Sequence, residues 1–155
     1  MHPSELERCL QQAAELSGIH ALLRHPEHDD MWSVVLDGSA VLYAESEPDR
    51  GRLSLWAELG LLADPQQRDA VHGLMARYAA SVERSRIVLG DAGVYELHSH
   101  WPLRPGRPAD LAALFDHIAP VVHSWREILA RPPVERPPPA TLDACLAELA
   151  VRYCV

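Results

Sequence analysis

From residue 4 to residue 18, apolar side chains recur every three or four positions. Leu6, Cys9, Leu10, Ala13 and then Leu16 or Ser17 form one stripe, and Glu5, Arg8, Gln11, Gln12 and Glu15 fill the opposite side. That period predicts an amphipathic helix. Ser4 with Glu7 three residues later reads as a capping box at its start, and Gly18 suits its stop. The polar stretch "RHPEHDD" follows, and then the period changes to two. "MWSVVL" and "AVLYAE" flank Asp37-Gly38-Ser39, a hairpin signal, and "RLSLWAEL" follows the turn residues "EPDRG". These three runs predict an antiparallel meander.

Asp64-Pro65 opens a second predicted helix, with Val71, Leu74, Met75, Tyr78 and Val82 as its apolar stripe. "SRIVLG" and "VYELHSHW", joined across Gly90 to Gly93, read as a second hairpin. A third helix starts near Pro108 and carries Leu111, Leu114, Phe115, Ile118, Val122, Trp125 and Leu129; Pro120 within it is expected to kink it. The proline-rich stretch 131–140 reads as an extended linker, and Thr141 caps a short amphipathic helix with Leu142, Cys145, Leu146 and Leu149. The expected fold is therefore α+β, in the order α-β-β-β-α-β-β-α. Helices should pack on a twisted antiparallel sheet of about five strands. Residues 1–130 form the body, 131–140 the linker and 141–155 an added terminal helix.

Composition narrows the function classes. The 155 residues suit one domain with a real core. A net charge of -8 argues against nucleic acid and anionic membranes as partners, because both bind through clustered positive charge. All 14 basic residues are arginine. The lack of lysine removes P-loop nucleotide chemistry, pyridoxal phosphate chemistry and kinase chemistry together. Cys9, Cys145 and Cys154 are odd in number and contain no C-x-x-C pair, so a reduced cytoplasmic setting is expected. The opening "MHPSELERC" does not read as a signal peptide, and no apolar run nears the roughly 20 residues that span a bilayer.

Three polar groupings invite chemistry. Glu96, His98 and His100 alternate along one strand and so share a face, as zinc ligands often do. Tyr95, Leu97 and Trp101 take the other face, which makes the second face core and leaves the histidines on a surface or subunit contact. His20, His25, His28, Asp29 and Asp30 fall in a loop, where "HPEH" lacks the spacing of a metalloprotease helix. Asp116, His117 and His123 lie off the third helix's apolar stripe, with no G-x-S-x-G elbow to accompany them. Cys9 has only Arg8 as a basic neighbour and sits on an apolar face. No catalytic residue, metal or cofactor is expected, although a metal-binding enzyme or sensor using His98 and His100 stands as an alternative. The apolar stripes exceed what one small sheet covers, which points to a protein interface.

The element order resembles that of the class I type III secretion chaperones, the Tir-chaperone-like family. "LSLWAELGLL" is similar to the family's third strand and its L-x-x-x-A-x-L-G turn, "GVYELHSHWPL" to its last strand, and "LAALFDHIAPVVHSWREIL" to its closing helix. The similarity spans roughly residues 4 to 130. It implies a homodimer in the bacterial cytoplasm that holds the N-terminal segment of one secreted effector extended, without ATP. Client grooves would then lie on the first helix and the meander, around Leu6, Leu10, Leu16, Ile19, Leu22, Val34, Leu36, Leu42, Leu53 and Leu55. The second helix and second hairpin would form the dimer contact, through Val71, Leu74, Met75, Tyr78, Val88, Val94, Glu96, His98 and His100. A regulator of the same fold that sequesters another secretion protein is a further reading.

Overall fold

Helix α1 (Pro3–Leu16) forms where the first apolar stripe predicts it, with Leu6, Cys9, Leu10 and Ala13 all buried. The coordinates, a computed structural model, describe residues 3–37, 40–104 and 106–133. The expected terminal helix, Cys145, Cys154 and the linker beyond residue 133 lie outside the described residues.

After α1 the chain forms β1 (Ala21–Arg24), β2 (Met31–Asp37), β3 (Ala40–Glu47) and β4 (Arg52–Gly60). Gly51 closes the turn between β3 and β4 at φ 63°, a left-handed conformation that an L side chain resists. Helix α2 (Arg68–Ser81), strands β5 (Ser85–Leu89) and β6 (Tyr95–Pro102), and helix α3 (Pro108–Leu129) complete the order. All neighbouring strands pair antiparallel in one sheet, ordered β1-β2-β3-β4-β6-β5.

The sheet has six strands rather than about five. The added strand is "ALLR", whose four residues are too few to display a period. Two other expectations shift in detail. The Asp64 carboxylate does cap the backbone N–H of Gln66 at 3.0 Å, but Pro65–Gln67 is a 3-10 turn and α2 proper begins at Arg68. Val82 is extended, at φ -127° and ψ 107°, and its N–H closes the helix end by bonding the Tyr78 carbonyl at 3.0 Å. Helix α3 continues across Pro120 to Leu129.

The period-two runs decide which sheet face is buried. Trp32, Val34, Leu42, Ala44, Leu53, Leu55, Ala57, Leu97 and Trp101 point to a core that α1 and α3 cover. Phe115, Ile118, Val122 and Leu129 of α3 are each at most 1% exposed. Each such side chain contributes about 1.5–3 kcal/mol by leaving water. Polar contacts fix the helices in place. Asp116 Oδ1 accepts from the Gly18 N–H at 3.0 Å, joining the end of α1 to α3. The Arg126 guanidinium donates to the Glu58 carbonyl at 2.8 Å, and Tyr78 of α2 meets Trp125 of α3 edge to face at 6.1 Å. No described helix is long and apolar enough to cross a membrane.

Candidate functional site

The alternation along β6 holds in the structure. Tyr95, Leu97, Ser99 and Trp101 are buried, whereas Glu96 and His98 are half-buried and His100 is exposed. His98 Nε2 sits 2.7 Å from Glu96 Oε2, so these two groups satisfy each other. Among the described residues no group of three His, Cys, Asp or Glu side chains is arranged to hold a metal ion. The His25 and His28 rings lie tilted against each other at a centroid distance of 4.7 Å, and Asp29 is engaged by Arg24 at 3.1 Å. Asp116 is the tether between α1 and α3 described above. Burial raises the pKa of the Cys9 thiol, which opposes the thiolate a nucleophile requires.

The ten candidate client-binding residues divide by depth. Leu6, Leu10, Val34, Leu36, Leu42, Leu53 and Leu55 are no more than 3% exposed and belong to the core of the single chain. Sequence spacing identifies their face but cannot show that two helices already cover it. Leu16 is 63% exposed, and Ile19 and Leu22 are half-buried. Leu23, which the spacing did not single out, is 57% exposed. These four lie at the end of α1 and along β1, an edge strand whose second side pairs with no described strand. A groove of about 220 Å³ lies between Glu7, Gln11 and Glu15 of α1 and Leu22, Arg24 and Trp32 of the sheet, and of these four residues Leu22 lines it. Trp32 is 3% exposed, yet its indole Nε1 has no hydrogen-bond partner among the described residues. An unsatisfied buried donor at a groove wall is a position where an added carbonyl would gain a bond.

The nine candidate pairing residues lie towards the opposite edge. Val71 is 2% exposed and sits in the core rather than on a free surface, because it anchors α2 from below. Leu74, Met75, Tyr78, Val88, Val94, Glu96 and His98 are half-buried, and His100 is exposed. Helix α2 lies against edge strand β5, whose last residue Leu89 is 47% exposed. Among the described residues the sheet therefore has two open edges, each flanked by a helix and by apolar side chains.

No protein-family model matches the chain, and no curated protein matches it by sequence. Its shape does match solved structures. A chain of the HopA1–SchA chaperone–effector complex superimposes with a TM-score of 0.64 at 16% identity, covering 81% of this chain and 95% of the other. A chain of the ExsC–ExsE complex gives 0.65 at 16% identity, over 83% and 96%. The structure of the Yersinia pestis type III secretion chaperone SycH in complex with a stable fragment of YscM2 gives 0.54 at 15%, over 76% and 97%. The fold is that of the class I type III secretion chaperones. Within this chaperone fold, nearly the whole length of each neighbour is represented. Residues from 134 onward lie beyond the similarity expected from sequence.

Proposed function

We propose that the chain is a homodimeric chaperone of the bacterial cytoplasm that holds the N-terminal segment of a type III secreted effector extended and fit for export, without ATP. The observation that carries this reading is the open β1 edge beside the exposed Leu16 and Leu23, on a fold shared with chains from chaperone complexes. An extended client adds a strand to such an edge and gains main-chain hydrogen bonds, while its alternate side chains fill the groove. Leu16, Ile19 and Leu22 contact those side chains directly. The buried Leu6, Leu10, Val34, Leu36, Leu42, Leu53 and Leu55 act as the packed floor that keeps the groove in shape. A client without structure of its own is ordered only on binding, so holding it requires no chemical energy.

In this reading the dimer forms at the other edge, through α2 and the β5–β6 hairpin. Leu74, Met75, Val88 and Val94 supply its apolar contacts, and Glu96, His98 and His100 lie at its margin. Co-expression with the secreted protein encoded beside it tests the proposal. The expected product is a stable complex of two copies with one client. A strictly monomeric chain without affinity for any neighbouring secreted protein would overturn it.

A further inference from the structure

The β4–β6–β5 pairing assembles a cluster that no stretch of sequence displays. Arg52 of β4, Arg84 and Arg86 at β5, and His98 and His100 of β6 line one cleft of about 300 Å³. In a chain of net charge -8, this concentrates positive charge against the average. Two acids adjacent to its lining residues are engaged. Glu47 is held by Arg50 at 2.9 Å, by Arg52 at 3.2 Å and by the Ser54 hydroxyl, and Glu96 is held by His98. Glu83 is the one acid among the lining residues, and no ion pair holds it among the described residues.

The cations are less satisfied. Arg84 and Arg86 are exposed, and their guanidinium groups have no ion-pair partner among the described residues. Arg52 Nε is buried and lacks a hydrogen-bond acceptor among the described residues. His100 responds to this crowding: burial first, and then Arg52, Arg84 and Arg86, lower its pKa below the ordinary histidine value. Trp56 also lines the cleft, and its ring stacks on Tyr43 at a centroid distance of 5.6 Å. An aromatic wall beside three arginines offers both apolar contact and carboxylate recognition.

We propose that this cleft binds an acidic stretch of extended polypeptide, its Asp or Glu carboxylates seated on Arg84, Arg86 and Arg52 Nε, its backbone against Trp56. The site lies towards the β5 edge, beside the hairpin proposed for pairing and away from the α1–β1 groove, so it is a contact separate from that groove. Nucleic acid suits it less, because its phosphates would meet the acidic remainder of the chain.

The test uses the full chain and a fluorescein-labelled hexaglutamate peptide, with hexaglutamine as the neutral control. Saturable binding of hexaglutamate alone is expected, weakening about tenfold in R84Q/R86Q and falling steeply as salt is raised. The His100 imidazole resonance should move during the titration. Because both arginines are exposed, R84Q/R86Q should melt at the wild-type temperature. Equal binding of hexaglutamine, or an unchanged affinity in R84Q/R86Q, would overturn the proposal. So would full displacement by equimolar inorganic phosphate, which would mark a small-anion site. If R84Q/R86Q instead loses self-association while peptide binding persists, the cleft faces a second copy and the proposal also fails. None of these results depends on whether an effector binds at the α1–β1 groove.

Discussion

Two leucines on the same helix should separate client binding from folding. Leu16 is 63% exposed, whereas Leu10 is fully buried. Burying a whole leucine side chain contributes about 1.5–3 kcal/mol. With nearly two-thirds of Leu16 still available for a client to cover, and with alanine keeping the β-carbon, Leu16→Ala should weaken client binding by about 1 kcal/mol. That corresponds to about a fivefold rise in Kd. Stability should hardly change, since most of this side chain is in water in the free chain. Leu10→Ala opens a cavity in the core and should cost about 2–5 kcal/mol. At about 2–4 °C per kcal/mol for a chain of this size, a 3 kcal/mol loss lowers Tm by about 6–12 °C. Fluorescence anisotropy with an effector's N-terminal peptide gives Kd, and calorimetry gives Tm. If Leu16→Ala left Kd unchanged, or lowered Tm as far as Leu10→Ala, the division between groove and core would be refuted.

Other consequences are open to direct measurement. The buried Ser85 hydroxyl donates to Ser99 at 2.9 Å, and Ser99 donates to the Arg84 carbonyl at 3.1 Å. Ser99→Ala strands both ends and should cost about 1–2 kcal/mol, read by urea denaturation. Asp64 caps the turn before α2 and is 7% exposed, so Asp64→Ala should lose about 1–2 kcal/mol in the same assay. His100 has a pKa below 6.5 in the folded chain, so the unfolded chain takes up that proton first. Its contribution to stability is therefore present above pH 6.5 and lost as pH falls from there through the folded value; His100→Gln should flatten that part of the stability profile. At the proposed dimer margin, histidine protonation should loosen pairing, and a dimer Kd constant between about pH 5.5 and 8 would exclude this role.

Much of the fold was legible in the sequence because period and punctuation agreed. The stripe from Leu6 to Ala13, the capping Asp64-Pro65 and the alternation from Tyr95 to Trp101 each specify an element and a face. Strand β1 was not legible. Its four residues carry no period, and it exists because Ala21 to Arg24 find partners in Val35 to Trp32. Depth was not legible either. Alternation places Leu42 and Leu55 on one face, but only the packing of α1 and α3 shows that the face is closed. The arginine cleft was hidden for a related reason. Arg52 and Arg84 are 32 positions apart in the chain, and they meet only because β6 inserts between β4 and β5. Glu96, His98 and His100, which first suggested a zinc site, occupy a surface where Glu96 and His98 already satisfy each other.

The central claim is that one sheet edge holds a client and the other pairs two copies. Native mass spectrometry of the chain purified with the secreted protein encoded beside it tests both halves at once. The account predicts a dimer of the chain alone, and a complex of two copies with one client when the partner is present. A monomer in both preparations, with no client retained, would contradict it.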